Sequence, residues 1–222
     1  MFRIKICGVT SVEDAQMVAA AGADAIGLNF YPPSPRYLDT ETATAIAASI
    51  PGDIARVGVF VDAQRGDMRR LAHLLRLTHL QWHGDEIAER VPEYSGYKIV
   101  KAFRLGSNGT DSVIAWLDQA WDLQALPERY LIDAYQPGAP GGTGQTADWS
   151  QVAELARIRH RSRLILAGGL TPDNVAEAIL KVRPGGVDTA SGVESAPGKK
   201  DPARVRDFVA AAQAAFAQLD AE

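Results

Sequence analysis

Short apolar runs alternate with stretches in which apolar residues recur every three to four positions along the 222-residue chain. The first pattern predicts strands and the second amphipathic helices. Strands are expected at residues 3–9, 25–30, 56–61, 80–83, 97–103, 129–134, 164–167 and 186–190. Ser11 caps the first helix, with Asp14 three residues on, and Val12, Ala15, Val18 and Ala19 form its apolar stripe before Gly22 ends it. Further helices are expected at 40–50, 67–77, 86–94, 111–123 and 150–159. Thr171-Pro172 and Asp201-Pro202 read as N-cap and first helical residue of the last two.

Eight strand–helix units with no composition break between them imply a parallel sheet. Their number and the chain length predict one α/β domain over residues 1–222, a (β/α)8 barrel. A doubly wound open sheet is the alternative. It would put a Gly-rich phosphate loop after the first strand, whereas here that strand ends in Cys7-Gly8 and the glycines cluster late.

Composition narrows the class. The chain is 46% hydrophobic and 23% charged with a formal net charge of −4, which argues against a nucleic-acid partner. No apolar run approaches the roughly 18 residues that a membrane span needs. One cysteine makes neither an internal disulfide nor a Cys-based zinc site. With no secretion-signal pattern in the first residues, the expectation is a cytoplasmic protein with a reduced thiol.

In a barrel, the strand C-terminal ends and the loops after them carry the chemistry. Those ends hold Cys7, Asn29, Arg36, Asp62, His83, Arg104, Asp133, Asp188 and three Gly-bearing loops. The loops contain Gly142-Thr143-Gly144, Gly168-Gly169 and Ser191-Gly192, after strands six, seven and eight. Backbone N–H groups approach a phosphate where no side chain intervenes, so these loops are a candidate phosphate site, tight turns being the other reading. Alternation puts Lys5 and Cys7 on one face of the first strand. Cys7 is either a small buried hydrophobe or a thiol ionised by Lys5 or by the helix after Ser11. Asp133 is a candidate acid or a loop-capping carboxylate. Asp188 is a candidate positioning or charge-balancing group. Lys5 and Lys101 would lie in the barrel as structural ion pairs, His83 would touch substrate or simply pack, and Arg36 suits a carboxylate. A thiol and a carboxylate on opposite sides of a phosphate-binding mouth suit proton-transfer isomerisation of a sugar phosphate, with no metal and no cofactor expected.

The chain also resembles the phosphoribosylanthranilate isomerases along its length. The resemblance rests on Lys5-Ile6-Cys7-Gly8, Ser34-Pro35-Arg36-Tyr37, Val57-Gly58-Val59-Phe60, Gln81-Trp82-His83-Gly84, Leu131-Ile132-Asp133, Gly141-Gly142-Thr143-Gly144, Asp148-Trp149, Ala167-Gly168-Gly169-Leu170 and Ser191-Gly192-Val193-Glu194. It implies an Amadori rearrangement with Asp133 as general acid, Cys7 as general base and Arg36 on the anthranilate carboxylate. His83 and Asp188 would be further substrate contacts, with phosphate in the glycine loops. The partner implied is the small-molecule substrate, the assembly a monomer or homodimer. Trp82, Ala134, Ala147 and Ala190 depart from the residues usual at those positions, which bears on pocket shape. Another phosphosugar isomerase or epimerase, and a non-catalytic phosphosugar-binding module, are the competing readings.

Overall fold

The computed structural model describes residues 2–105, 109–134, 149–158 and 163–221. Eight parallel strands close into a barrel in sequence order: β1 (Ile4–Cys7), β2 (Ala25–Asn29), β3 (Ala55–Phe60), β4 (His79–Trp82), β5 (Lys98–Arg104), β6 (Arg129–Asp133), β7 (Leu164–Ala167) and β8 (Gly186–Thr189). Strand β8 pairs back onto β1, with Lys5 beside Asp188, and Cys7 lies opposite Gly27 of β2.

The helices are α1 (Val12–Ala20), α2 (Thr40–Ser49), α3 (Arg65–Leu74), α4 (Asp111–Asp122), α5 (Trp149–Ile158), α6 (Val175–Val182) and α7 (Pro202–Asp220). Three of the starts have a local side-chain cause. Ser11 Oγ accepts from Asp14 N at 3.0 Å, and Asp39 caps α2 through Thr42 N at 2.7 Å. Asp201 Oδ1 accepts from Ala203 N and Arg204 N, with Pro202 at the first turn of α7. No helix among the described residues is long and apolar enough to cross a membrane.

The side-chain alternation divides the core in two. Ile4 and Ile6 join the large cluster between strands and helices, while Ala25, Val57, Val100, Ala102, Leu131, Ile165 and Ala167 fill the barrel interior. Lys101 alternates with Val100 and Ala102, so it leaves the interior and pairs with buried Glu86 at 3.0 Å instead. It therefore lies outside the barrel, contrary to the sequence reading, although it is an ion pair.

Two further local expectations are corrected, and one element is unforeseen. Residues 86–94 form a 3-10 turn, Ala88–Tyr94, rather than an α-helix: Pro92 has no N–H to give, and Glu86 is drawn away to Lys101. Thr171-Pro172 does not open α6. Asn174 Oδ1 accepts from Thr171 N at 2.8 Å, holding residues 171–174 as a turn, and the helix begins after Asn174. The segment before α7, to which the sequence pattern assigns no element, contains an antiparallel hairpin of β9 (Glu194–Ala196) and β10 (Lys199–Lys200).

Candidate functional site

At the C-terminal mouth of the barrel lies a cavity of about 300 Å3. Cys7, Arg36, His83, Asp133, Gly168, Gly169, Asp188, Ser191 and Gly192 all line it. The expected site residues among the described positions are thus brought together. Gly142, Thr143 and Gly144 lie outside the described residues.

Cys7 is half-buried at the end of β1. Its room comes from Gly27, where a β-carbon would sit 2.7 Å from Cys7 Sγ. Lys5, one inward position below, donates to Asp188 Oδ2 at 2.7 Å, and both side chains are buried. Burial pulls the Lys5 ammonium down, but Asp188 and Cys7 outweigh it and the net direction is up. Burial pushes the Asp188 carboxyl up, and the charge of Asp133 adds to it against the pull of Lys5. Burial likewise pushes the Cys7 thiol up, Lys5 and Lys200 pulling the other way. Lys5 therefore acts in the expected sense without overcoming desolvation.

Arg36 reaches the mouth from the loop after β2. Gly8 has φ +70, and a β-carbon there would lie 2.3 Å from Arg36 Cδ. The glycine after the cysteine thus makes way for the arginine stem. Arg36 is not a solvated charge: its Nε and Nη2 donate to Glu194 at 2.8 and 2.6 Å. Glu194 also accepts from buried Lys200 Nζ at 2.8 Å. Burial pushes Glu194 up, but Arg36 and Lys200 prevail and hold it below its ordinary value. Glu194 was only part of a recognised stretch and Lys200 was not singled out. Neither lies at a strand end of the barrel, and a buried lysine leaves no periodic signal.

The two described glycine loops are shaped by their lack of side chains. Gly168 and Gly169 have φ of +94 and +66, and a β-carbon at Gly192 would fall 1.9 Å from Leu170 O. Asn174 Nδ2 donates to Gly169 O at 3.0 Å, so the turn that displaced the start of α6 also braces this loop.

Buried polar atoms face the same space. Asp188 Oδ1, Gln81 Oε1 and His83 Nε2 are buried with no hydrogen-bond partner among the described residues. Burial, then Arg104, Lys5 and Lys101, lowers His83 to about 4, so its imidazole is neutral at pH 7. His83 also borders a second cavity of about 480 Å3 toward β5, lined by Phe103, Arg104 and Trp116. Among the departures from the usual pattern, Ala190 does line the mouth, whereas Trp82 is buried edge-on against Tyr94 in the helix-facing core. No cluster of three or more His, Cys, Asp or Glu among the described residues is arranged to hold a metal ion.

Comparison with known proteins bears on the same assignment. The family described as PRAI, N-(5'phosphoribosyl)anthranilate (PRA) isomerase, matches residues 4–211. The N-(5'-phosphoribosyl)anthranilate isomerase of Chlorobium phaeobacteroides is 43% identical over 213 residues, 95% of this chain and 96% of that protein. The crystal structure of phosphoribosyl anthranilate isomerase from Thermotoga maritima superposes with a TM-score of 0.81 at 36% identity, covering 96% of this chain and 100% of that one. A phosphoribosyl anthranilate isomerase in complex with reduced 1-(o-carboxyphenylamino)-1-deoxyribulose 5-phosphate gives 0.77 at 34% identity, with 96% and 100% covered. With a barrel of that topology and a mouth of this make-up, the chain belongs to the N-(5'-phosphoribosyl)anthranilate isomerase family.

Proposed function

We propose that Asp133 and Cys7 are the general acid and general base of the isomerisation this family performs. As a family member, the chain converts N-(5'-phosphoribosyl)anthranilate to 1-(2-carboxyphenylamino)-1-deoxyribulose 5-phosphate, a step of tryptophan biosynthesis. The observation that carries the residue assignment is their convergence with Arg36 and two glycine loops on one cavity.

In this reading Asp133 gives a proton to the furanose ring oxygen. The C1–O bond breaks, the oxygen leaves as the C4 hydroxyl, and the nitrogen lone pair forms an iminium at C1. The iminium makes the C2 proton acidic, and the Cys7 thiolate removes it to give an enolamine. Protonation at C1 and loss of the C2 hydroxyl proton give the ketone. Atoms balance with no net redox change. A raised thiol pKa does not obstruct this step, because the positive iminium forms next to the base and favours its ionised form. Arg36 binds the anthranilate carboxylate, the loops at Gly168-Gly169 and Ser191-Gly192 bind phosphate, and the unpaired Asp188 Oδ1 accepts from a sugar hydroxyl. Neutral His83 lies along the aryl end. The loop 142–144 would complete the phosphate site. The single thiol supports a cytoplasmic enzyme, and the net charge of −4 argues against a nucleic-acid partner.

Turnover is read from the loss of substrate fluorescence with a chelator present. Cys7→Ser and Asp133→Asn should each lower kcat by about 10²–10⁴-fold while the reduced product analogue still binds. Full activity in either variant would remove that residue from the mechanism.

A further inference from the structure

The hairpin that follows the barrel holds a buried lysine whose ammonium has three partners around the mouth. Lys200 is 2% exposed. Its Nζ donates to Cys7 O at 2.6 Å, Ala190 O at 3.1 Å and Glu194 Oε1 at 2.8 Å. Those acceptors belong to three separate pieces of the site: the strand end bearing the thiol, the loop after β8, and the partner of Arg36. Its own N–H donates to Asp14 Oδ2 of α1 at 3.0 Å, and Thr10 Oγ1 donates to Gly198 O, so the hairpin is anchored on the β1–α1 side. Arg204 Nη1 donates to Glu194 O at 3.1 Å from α7.

We propose that Lys200 is a positioning residue for the isomerisation, tying Cys7, the β8 loop and the Arg36–Glu194 pair to one buried ammonium. The proposal rests on the reading of Cys7 as base and Arg36 as carboxylate site. An ammonium suits the task. Its three protons match three acceptors with none left over, and its charge offsets that of Glu194 in a buried place. Held on the Cys7 carbonyl, its charge also pulls the thiol toward the thiolate. The charged and titratable groups around the thiol are Lys5 and Asp188 inside the barrel, Arg36, His83 and Asp133 around the mouth, and Glu194 and Lys200 from the hairpin.

The test uses Lys200→Met and Lys200→Arg. Because Cys7 is the only cysteine, iodoacetamide alkylation across pH reads its ionisation apart from turnover. In Lys200→Met, kcat should fall about tenfold or more, with a smaller change in KM. The alkylation midpoint should move to higher pH, since a cation near the thiolate is lost. Lys200→Arg should return the midpoint to the wild-type value and recover part of kcat. A folded Lys200→Met protein with wild-type kcat, or with an unmoved midpoint, overturns the proposal. If Lys200→Met does not fold, Glu194→Gln decides. Removing that carboxylate leaves Lys200 and Arg36 uncompensated, so the midpoint should fall and KM rise, and an unmoved midpoint overturns the proposal. Cys7→Ser reports separately on the underlying reading: an active Cys7→Ser enzyme sinks the base assignment, whereas the thiol titration judges Lys200 by itself.

Discussion

Replacing Lys5 by Met leaves Asp188 buried without its cation. The two side chains are 0% and 7% exposed and 2.7 Å apart, and Asp188 Oδ1 has no other described partner to share the charge. Removing one member of such a pair costs about 3–5 kcal/mol. For a chain of this size that is a fall in melting temperature of about 6–20 °C. The loss should depend on pH. The folded-state pKa of Asp188 already lies above its ordinary value, and without Lys5 it rises further. The folded form then binds the proton more tightly than the unfolded chain, so the variant is relieved in acid and loses stability as pH rises through the folded value. Urea unfolding of Lys5→Met should show its smallest deficit at about pH 4 and the full one at about pH 8. Lys5→Met with Asp188→Asn should recover most of it, since no buried charge is left. A deficit under about 1 kcal/mol at pH 8, or one that widens in acid, would refute the reasoning.

Two further outcomes follow from the same mouth. Gly27→Ala puts a β-carbon 2.7 Å from Cys7 Sγ and 3.0 Å from Cys7 Cα. It should lower kcat about 10–100-fold, with a stability loss of about 1–3 kcal/mol in urea, and unchanged turnover would contradict the packing described. The free-enzyme profile, kcat/KM against pH, should keep rising beyond neutrality because burial raises the thiol. His83, lowered to about 4, is neutral throughout and should give no limb near its ordinary value; a His83-dependent limb there would contradict this.

The barrel was legible because its strands and helices differ in period, and because polar residues and glycines gather at the strand ends. Lys5 and Cys7 were placed on one face by alternation alone. Lys101 was misplaced because its strand alternates in the other sense, with Val100 and Ala102 inward. The start of α6 was misread because Thr171-Pro172 is a good local cap, yet Asn174 accepts from the Thr171 N–H and serves the Gly169 carbonyl, which holds 171–174 as a turn. Least visible was the hairpin from Glu194 to Lys200. Strands of three and two residues carry no periodicity, and Lys199-Lys200 looks like a solvated charge pair. What makes Lys200 internal is a set of acceptors drawn from distant parts of the chain.

The closure of β8 on β1 also bears on how the chain is made. Lys5 and Asp188 are 183 positions apart. At about 5–20 residues per second on the ribosome, Lys5 waits about 10–40 s for its partner to be synthesised. Throughout that interval β1 is an open edge, the kind of surface on which nascent chains pair wrongly. A solvated ammonium on its inward face discourages that pairing. The side chain that ends as a buried ion partner thus begins as a guard on the unfinished barrel, and it gives up that duty only when the last strand arrives.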